Sequence, residues 1–341
     1  MNSLHRIGTC LAATFLLGAS LHAQSFQNAG SVGAQFLKIG VGARAMGLGG
    51  AYGSLAGDPT MLAWNPAGIG TIEGIQVSAQ HTAWVEGINH DFVGLVVPVT
   101  DWFNLGFHTV FLTSGDIEIT TIENPEGTGK FYDATDVAAG LTSSFRLTSQ
   151  LTFALTVKYI EERIYDVRSG AVAVDAGAWY NTGFRSLTIG FAVTNLGFDQ
   201  TFAGRPLEVK YNPLTTGEPA VNAELQAQSS GIPLGFRAGG SFDLFEMFSE
   251  RIEDHALLTV LDFIQQPDVR ERLALGMEYT WQKMISVRSG YLFNADELSW
   301  SAGGGVRLPI ADFNVSVDYA ASSLGRFGIG HRFGIVLGYA Q

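Results

Sequence analysis

The residues best suited to chemistry are scattered. His81, His90, His108, His255 and His331 share no spacing of the H-x₃-H kind that would bring two metal ligands onto one face. There is no Gly-x-Ser-x-Gly elbow and no Walker loop. Gly47-Leu48-Gly49-Gly50 follows no strand of a βαβ unit, and position 52, where a dinucleotide fingerprint needs its third glycine, is Tyr. The acidic pairs Glu161-Glu162 and Glu253-Asp254 fall near strand ends or turns, where a solvated face is the expected role. Cys10, the only cysteine, sits early in an apolar leader. The mature chain therefore has no thiol for a disulfide, a nucleophile or a metal. No enzyme activity, cofactor or metal is expected, and the charged residues must serve structure or binding.

Met1 to Ala23 has a basic start (His5, Arg6), an apolar run from Cys10 to Leu17 and a small-residue end at Ala23. It reads as a secretory signal peptide cut after Ala23, because a membrane anchor needs roughly 20 apolar residues. With 20 Lys and Arg against 32 Asp and Glu, the chain carries a formal charge of −12. An acidic chain without basic clusters is a poor nucleic-acid binder.

The elements that must position these residues alternate with a period of two. From about Glu73 to the C-terminus we read fourteen strand-like stretches. Leu273, Leu275, Met277, Tyr279 and Trp281 share one face, opposite Arg272, Ala274, Gly276, Glu278 and Thr280. Phe313, Val315, Val317 and Tyr319 likewise oppose Asn314, Ser316 and Asp318. One face is thus Leu, Val, Ile and Phe, with Tyr and Trp near strand ends; the other is small, polar or singly charged. A soluble sandwich would put Lys and Glu on its outer face. Lipid on one side and a wet or plugged interior on the other give this pattern instead, so the expected fold is a fourteen-stranded antiparallel transmembrane β-barrel. Glycine, at 42 residues, recurs inside these strands, where it lets a barrel wall bend or a plug approach.

Alternate connections are tight, as at Thr100–Trp102, Leu147–Gln150, Asn181–Arg185, Gln282–Met284 and Pro309–Asp312. Those between are mostly longer and polar, such as Thr120–Phe131 and Gly197–Gly231. Short periplasmic turns and long external loops follow, with both chain ends on the periplasmic side. Asp243–Asp254 breaks the rule and reads as a short amphipathic helix. The expected strands include Phe103–Ile119, in which Gly115 is a candidate wall defect, and Ile232–Phe242.

Residues Gln24 to Thr71 do not alternate. They contain Gly42-Ala43-Arg44-Ala45-Met46-Gly47-Leu48-Gly49-Gly50-Ala51, then Gly57-Asp58-Pro59 and Ala63-Trp64-Asn65-Pro66-Ala67-Gly68. Here a short helix should break before Pro66. Arg44 and Asp58 are the only charges between Lys38 and Glu73, and inside a plug they need partners on the wall, since an unpaired buried ion is costly. Inward-facing candidates are Lys158, Asp175, Arg237, Arg272, Glu278, Arg288, Arg307, Asp318 and Arg332.

These motifs, with Val287-Arg288-Ser289-Gly290-Tyr291, resemble the signature of the PorV/PorQ family of FadL-like outer-membrane proteins. The resemblance implies an N-terminal hatch (24–72, with Arg44, Asp58, Trp64, Asn65 and Pro66) inside a barrel (73–341) in the Gram-negative outer membrane. It also implies a docking or shuttle role in type IX secretion, with secreted cargo proteins or other secretion subunits as partners. In the alternative, the barrel carries a hydrophobic small molecule across the outer membrane, as FadL-like transporters do. Arg332-Phe333-Gly334-Ile335-Val336-Leu337-Gly338-Tyr339 resembles the C-terminal assembly signal of such barrels.

Overall fold

The computed structural model describes residues 30–211, 221–248 and 254–339. The signal-peptide reading therefore lies outside the described residues. Fourteen antiparallel strands close into one barrel: β1 (Gln76–Ala83), β2 (Asn89–Thr100), β3 (Phe103–Thr113), β4 (Ala134–Arg146), β5 (Leu151–Ile164), β6 (Val167–Asn181), β7 (Thr188–Gly197), β8 (Gly235–Asp243), β9 (His255–Gln266), β10 (Val269–Trp281), β11 (Ile285–Phe293), β12 (Trp300–Ile310), β13 (Phe313–Ser323) and β14 (Ile329–Tyr339). Each pairs with its neighbours in sequence. β14 returns to β1 from Gln76↔Gly338 to Ala83↔His331, leaving no edge unpaired.

The alternation decides which side chains face outward. Leu273, Met277, Tyr279 and Trp281 are 37–43% exposed, whereas Ala274 and Glu278 on the other face of β10 are buried. Among the described residues no helix is long and apolar enough to cross a membrane. The apolar outer surface belongs to the strands. Aromatic rings gather towards both strand ends, with Trp102, Phe103 and Phe145 stacked at the short-turn end and Tyr132 against Tyr165 at the loop end.

The short connections expected after β2, β4, β6, β10 and β12 are present, and α2 (Leu244–Phe248; α1 is Ala43–Gly47) follows β8. Residues 249–253 of that expected helical connection lie outside the described residues. The loop after β3 carries a small hairpin (Ile117–Glu118 with Phe131–Tyr132), and the loop after β7 another (Glu208–Tyr211 with Val221–Glu224). Two strands are shorter than expected. β3 stops at Thr113, and Gly115 stands beyond it with φ +70° and open space around it, so it is no defect in the wall. β8 starts at Gly235, because Pro233 has no N–H to give a ladder.

The wall does have a defect elsewhere. The β6–β7 register shifts between Val174 and Ala176, where β7 accommodates an extra residue and Asn195 adopts φ +62°. Beyond it, β7 still pairs with β6 as far as Gly197, but its ladder with β8 ends at Thr194↔Gly235.

Candidate functional site

Residues 30–72 fold as short turns and helices whose internal backbone bonds are mostly local: 3₁₀ turns at Gln35–Lys38, Pro59–Ala63 and Pro66–Thr71, and the single helical turn α1. Glycine and proline allow nothing longer. The expected break before Pro66 is present, since Asn65 is extended (φ −147°, ψ 101°) and its side chain accepts the Ala67 N–H. Turns this short leave further backbone groups unpaired within the segment, and these must find partners on the wall. It does so on strands all around the ring.

Asp262 on β9, fully buried, accepts the Tyr52 and Gly53 amides at 2.8 and 2.7 Å and the Arg237 Nη1 at 2.7 Å. Arg237 also donates to the Gly50 carbonyl and lies 4.7 Å from the centre of the Trp64 ring. Asn65 donates to the carbonyls of Gly53 and Ala178. Trp179 and Thr188 donate to Ser54, Arg146 to Gly70, and Asn104 to both Ile69 and Ile72. Close approach needs small wall residues. A Cβ on Gly290 would run into the backbone of Leu48 and Gly49, and one on Gly190 into that of Gly53. Val41, Met46, Leu48, Met61, Leu62 and Ile69 join Phe92, Val96, Val110 and Val260 of the wall in one apolar cluster.

The expected charges meet across this junction. Arg44 grips Glu278 by two parallel bonds, Nε to Oε2 at 3.0 Å and Nη2 to Oε1 at 2.7 Å. Glu278 also accepts the Nε of Arg288, whose Nη1 reaches Asp318 Oδ1 at 2.5 Å. Asp58 takes its bonds inside the segment, from the Tyr52 hydroxyl at 2.7 Å and the Thr60 amide at 2.8 Å, and stands 4.0 Å from Arg44. Its partner is therefore not on the wall, as the sequence suggested. Lys158 and Asp175 pair with each other at 2.8 Å, and the second oxygen of Asp175 accepts the amide of the bulged Asn195 at 2.6 Å. Arg332 is buried and inward, away from this network. Arg272 reaches Gln266 near the loop end. Arg307 is exposed at the short-turn end, bonds Ser316 and does not touch the segment.

Three anchors were not expected. Asp262 is one. Asp268, in the turn between β9 and β10, accepts Lys38 Nζ at 2.6 Å and Gln35 Nε2 at 3.1 Å. Glu162 accepts the Ala34 amide at 3.0 Å and the Gln200 side chain, so it faces inward and not to solvent. Gly33 N–H bonds the Gly231 carbonyl. Residues 33–38 thus lie at the loop end, and the segment runs the length of the interior before Ile72 leads to β1 at the opposite end. The strand count puts both chain ends on the short-turn side; residues 33–38 lie instead at the loop end.

Two chambers flank the segment. On the loop side is an amphipathic cavity of about 100 Å³, lined by Leu37, Val41, Met46, Trp64, Ile264 and Leu292 and touching the wall at Thr194, Asn195, Gly235 and Phe236. On the short-turn side is a larger one of about 730 Å³, with the charged Arg44, Asp58, Glu278, Arg288, Arg307 and Asp318 in its lining beside Met284, Val306 and Val336.

Solved structures share the closed fourteen-stranded ring. The chain is similar to the CymD monoaromatic hydrocarbon channel (TM-score 0.56, 12% identity, over 89% of this chain and 98% of that one). It is also similar to the toluene transporter TbuX of Ralstonia pickettii (0.54, 12%, 88% and 97%) and to a Pseudomonas aeruginosa FadL homologue (0.51, 12%, 87% and 97%). At such identity the likeness is one of fold, and it gives the PorV/PorQ family no separate support. No protein-family model and no curated protein matches the chain.

Proposed function

We propose that the protein is an outer-membrane channel for hydrophobic small molecules, in which the segment before β1 (24–72, following a signal peptide cut after Ala23) is a hatch across the barrel (73–341). Residues 24–29 of it lie outside the described residues. This reverses the order in which the sequence ranked the two roles. The observation that carries it is the loop-side chamber. Leu37, Val41, Met46, Trp64, Ile264 and Leu292 give it an apolar side for a molecule with little affinity for water, while Lys38, Arg237 and Arg272 make the rest polar. It rests on Trp64 and α1, and it meets the wall where the β7–β8 ladder stops. Its volume is on the order of the ~150 Å³ cavity known to take up a benzene ring. The chamber beneath is lined by more charges, Arg44, Asp58, Glu278, Arg288, Arg307 and Asp318 among them, and suits an apolar solute less well. A molecule in the upper chamber then has its lowest-cost exit sideways, past Asn195 and Pro233 into lipid, once α1 and the Trp64 turn give way. That the similar solved structures include a hydrocarbon channel and a toluene transporter supports the same reading.

The secretion-linked role, with the loops 120–131 and 197–231 as a docking surface for secreted cargo, rests on the PorV/PorQ resemblance alone. Deleting the gene separates the two. Uptake of a labelled hydrophobic solute should fall while secreted proteins leave the periplasm normally; retained cargo with unchanged uptake would make docking the function.

A further inference from the structure

One inward cation takes no part in any of this. Arg332 on β14 is 0% exposed, yet no carboxylate among the described residues forms an ion pair with it. By contrast Arg44, Arg237 and Arg288 each have a carboxylate oxygen within 2.7 Å. The Nη1 of Arg332 donates to Ser322 Oγ at 2.5 Å, and its Cζ stands 5.4 Å from the centre of the Trp84 ring. Its Nε and Nη2 are buried without an acceptor. Those two N–H groups point in parallel along one edge of the guanidinium plane, the edge that fits the two oxygens of a carboxylate or phosphate.

A second group faces the same region. His90 on β2 is 2% exposed and its Nε2 is also buried without a partner. Arg332 pairs with Thr82 of β1, and Thr82 with His90, so the three form one inward row across adjacent strands about 4.8 Å apart. Trp84 follows β1 on the same inward side and covers the guanidinium. The arrangement provides two parallel donors from a fixed charge, a ring nitrogen and an aromatic cover; the acid next to His90 in the chain, Asp91, is taken by His81 on the other face. A buried charge left in this state is costly, and a counter-ion removes the cost.

We propose that Arg332 and His90 form a binding site for a small oxyanion, held two-pronged by the free guanidinium edge and completed by His90 in the tautomer that carries its proton on Nε2. The site is independent of the hydrophobic route, since neither residue lines the chamber above the hatch.

The test uses the full mature chain, unfolded in urea and refolded into detergent at constant ionic strength, with chloride replaced stepwise by formate so that the site can load as the barrel forms. The wild type should show a saturable rise in thermal midpoint with formate, as linkage requires of a ligand bound only by the folded chain. Arg332→Gln should abolish that rise, and the exposed Arg326→Gln should keep it. His90→Ala should shift the half-saturating formate concentration upward several-fold, a reading that stands even if Arg332→Gln fails to refold. A wild type without a saturable response, or an unchanged half-saturation in His90→Ala, would overturn the proposal.

Discussion

At the scale of single residues, the junction between the N-terminal segment and the wall is held by carboxylates that each serve several donors. Glu278 answers Arg44 and Arg288 together. Glu278→Gln removes the charge while keeping the shape, leaving a cation on each side of the junction. Breaking a buried pair in this way costs about 3 kcal/mol or more, so the midpoint for thermal loss of the β-sheet signal in detergent should fall clearly below wild type. Arg44 and Asp58 stood out in the sequence as lone charges in a glycine-rich stretch, and alternation put Glu278, Arg288 and Asp318 on the inner face. Asp262 and Glu162 share the inward parity of their strands, but their role as anchors was illegible, because what they take from the segment are backbone amides, and a backbone amide has no residue type. Asp268 was hidden for another reason: it lies in a turn, where alternation stops. Its carboxyl is partly buried, which alone would raise its pKa, but the bonds from Lys38 and Gln35 outweigh burial and hold it below the ordinary value. A depressed carboxylate stabilises the folded state above its unfolded pKa of ~3.9, and the contribution is lost as pH falls through the lower folded value. Amide exchange at residues 35–38 should therefore accelerate as pH drops below about 4, relative to the exchange expected for an unstructured peptide. Asp268→Asn should show the faster exchange at neutral pH as well.

At the scale of elements, all fourteen strands were visible, because a barrel in lipid keeps its period of two along every strand. The bulge was not visible. An extra residue in β7 leaves the local composition unchanged and shows only when Val174 is found opposite Leu196 and Ala176 opposite Val193. Pro233 was legible as a ladder breaker, yet the expected strand ran through it. The seam between β7 and β8 gives a direct test of the sideways exit. A Cβ on Gly235 would lie 3.9 Å from that of Thr194, inside the disulfide range. Thr194→Cys with Gly235→Cys should lose most hydrophobic uptake when oxidised and recover it on reduction. Uptake indifferent to oxidation would place the exit elsewhere.

At the scale of the whole molecule, closure of the ring and its apolar outer surface followed from strand number and patterning. The path of the first residues did not, since a segment without periodicity gives no sign of direction. Only the contacts of Gly33, Ala34 and Lys38 with loop-end residues reveal that it runs through the interior from the loop side to β1. The account depends on that segment moving to let a solute pass. A Cβ on Gly70 would lie 3.5 Å from the Thr152 Cβ on β5, and the described residues hold no cysteine to compete. The most direct measurement is uptake of a labelled neutral hydrophobic solute by cells carrying Gly70→Cys with Thr152→Cys, before and after reduction. We expect uptake near the level of the deletion strain while the bond is intact and near wild type once it is reduced. Full uptake with the segment bonded to the wall would contradict the account.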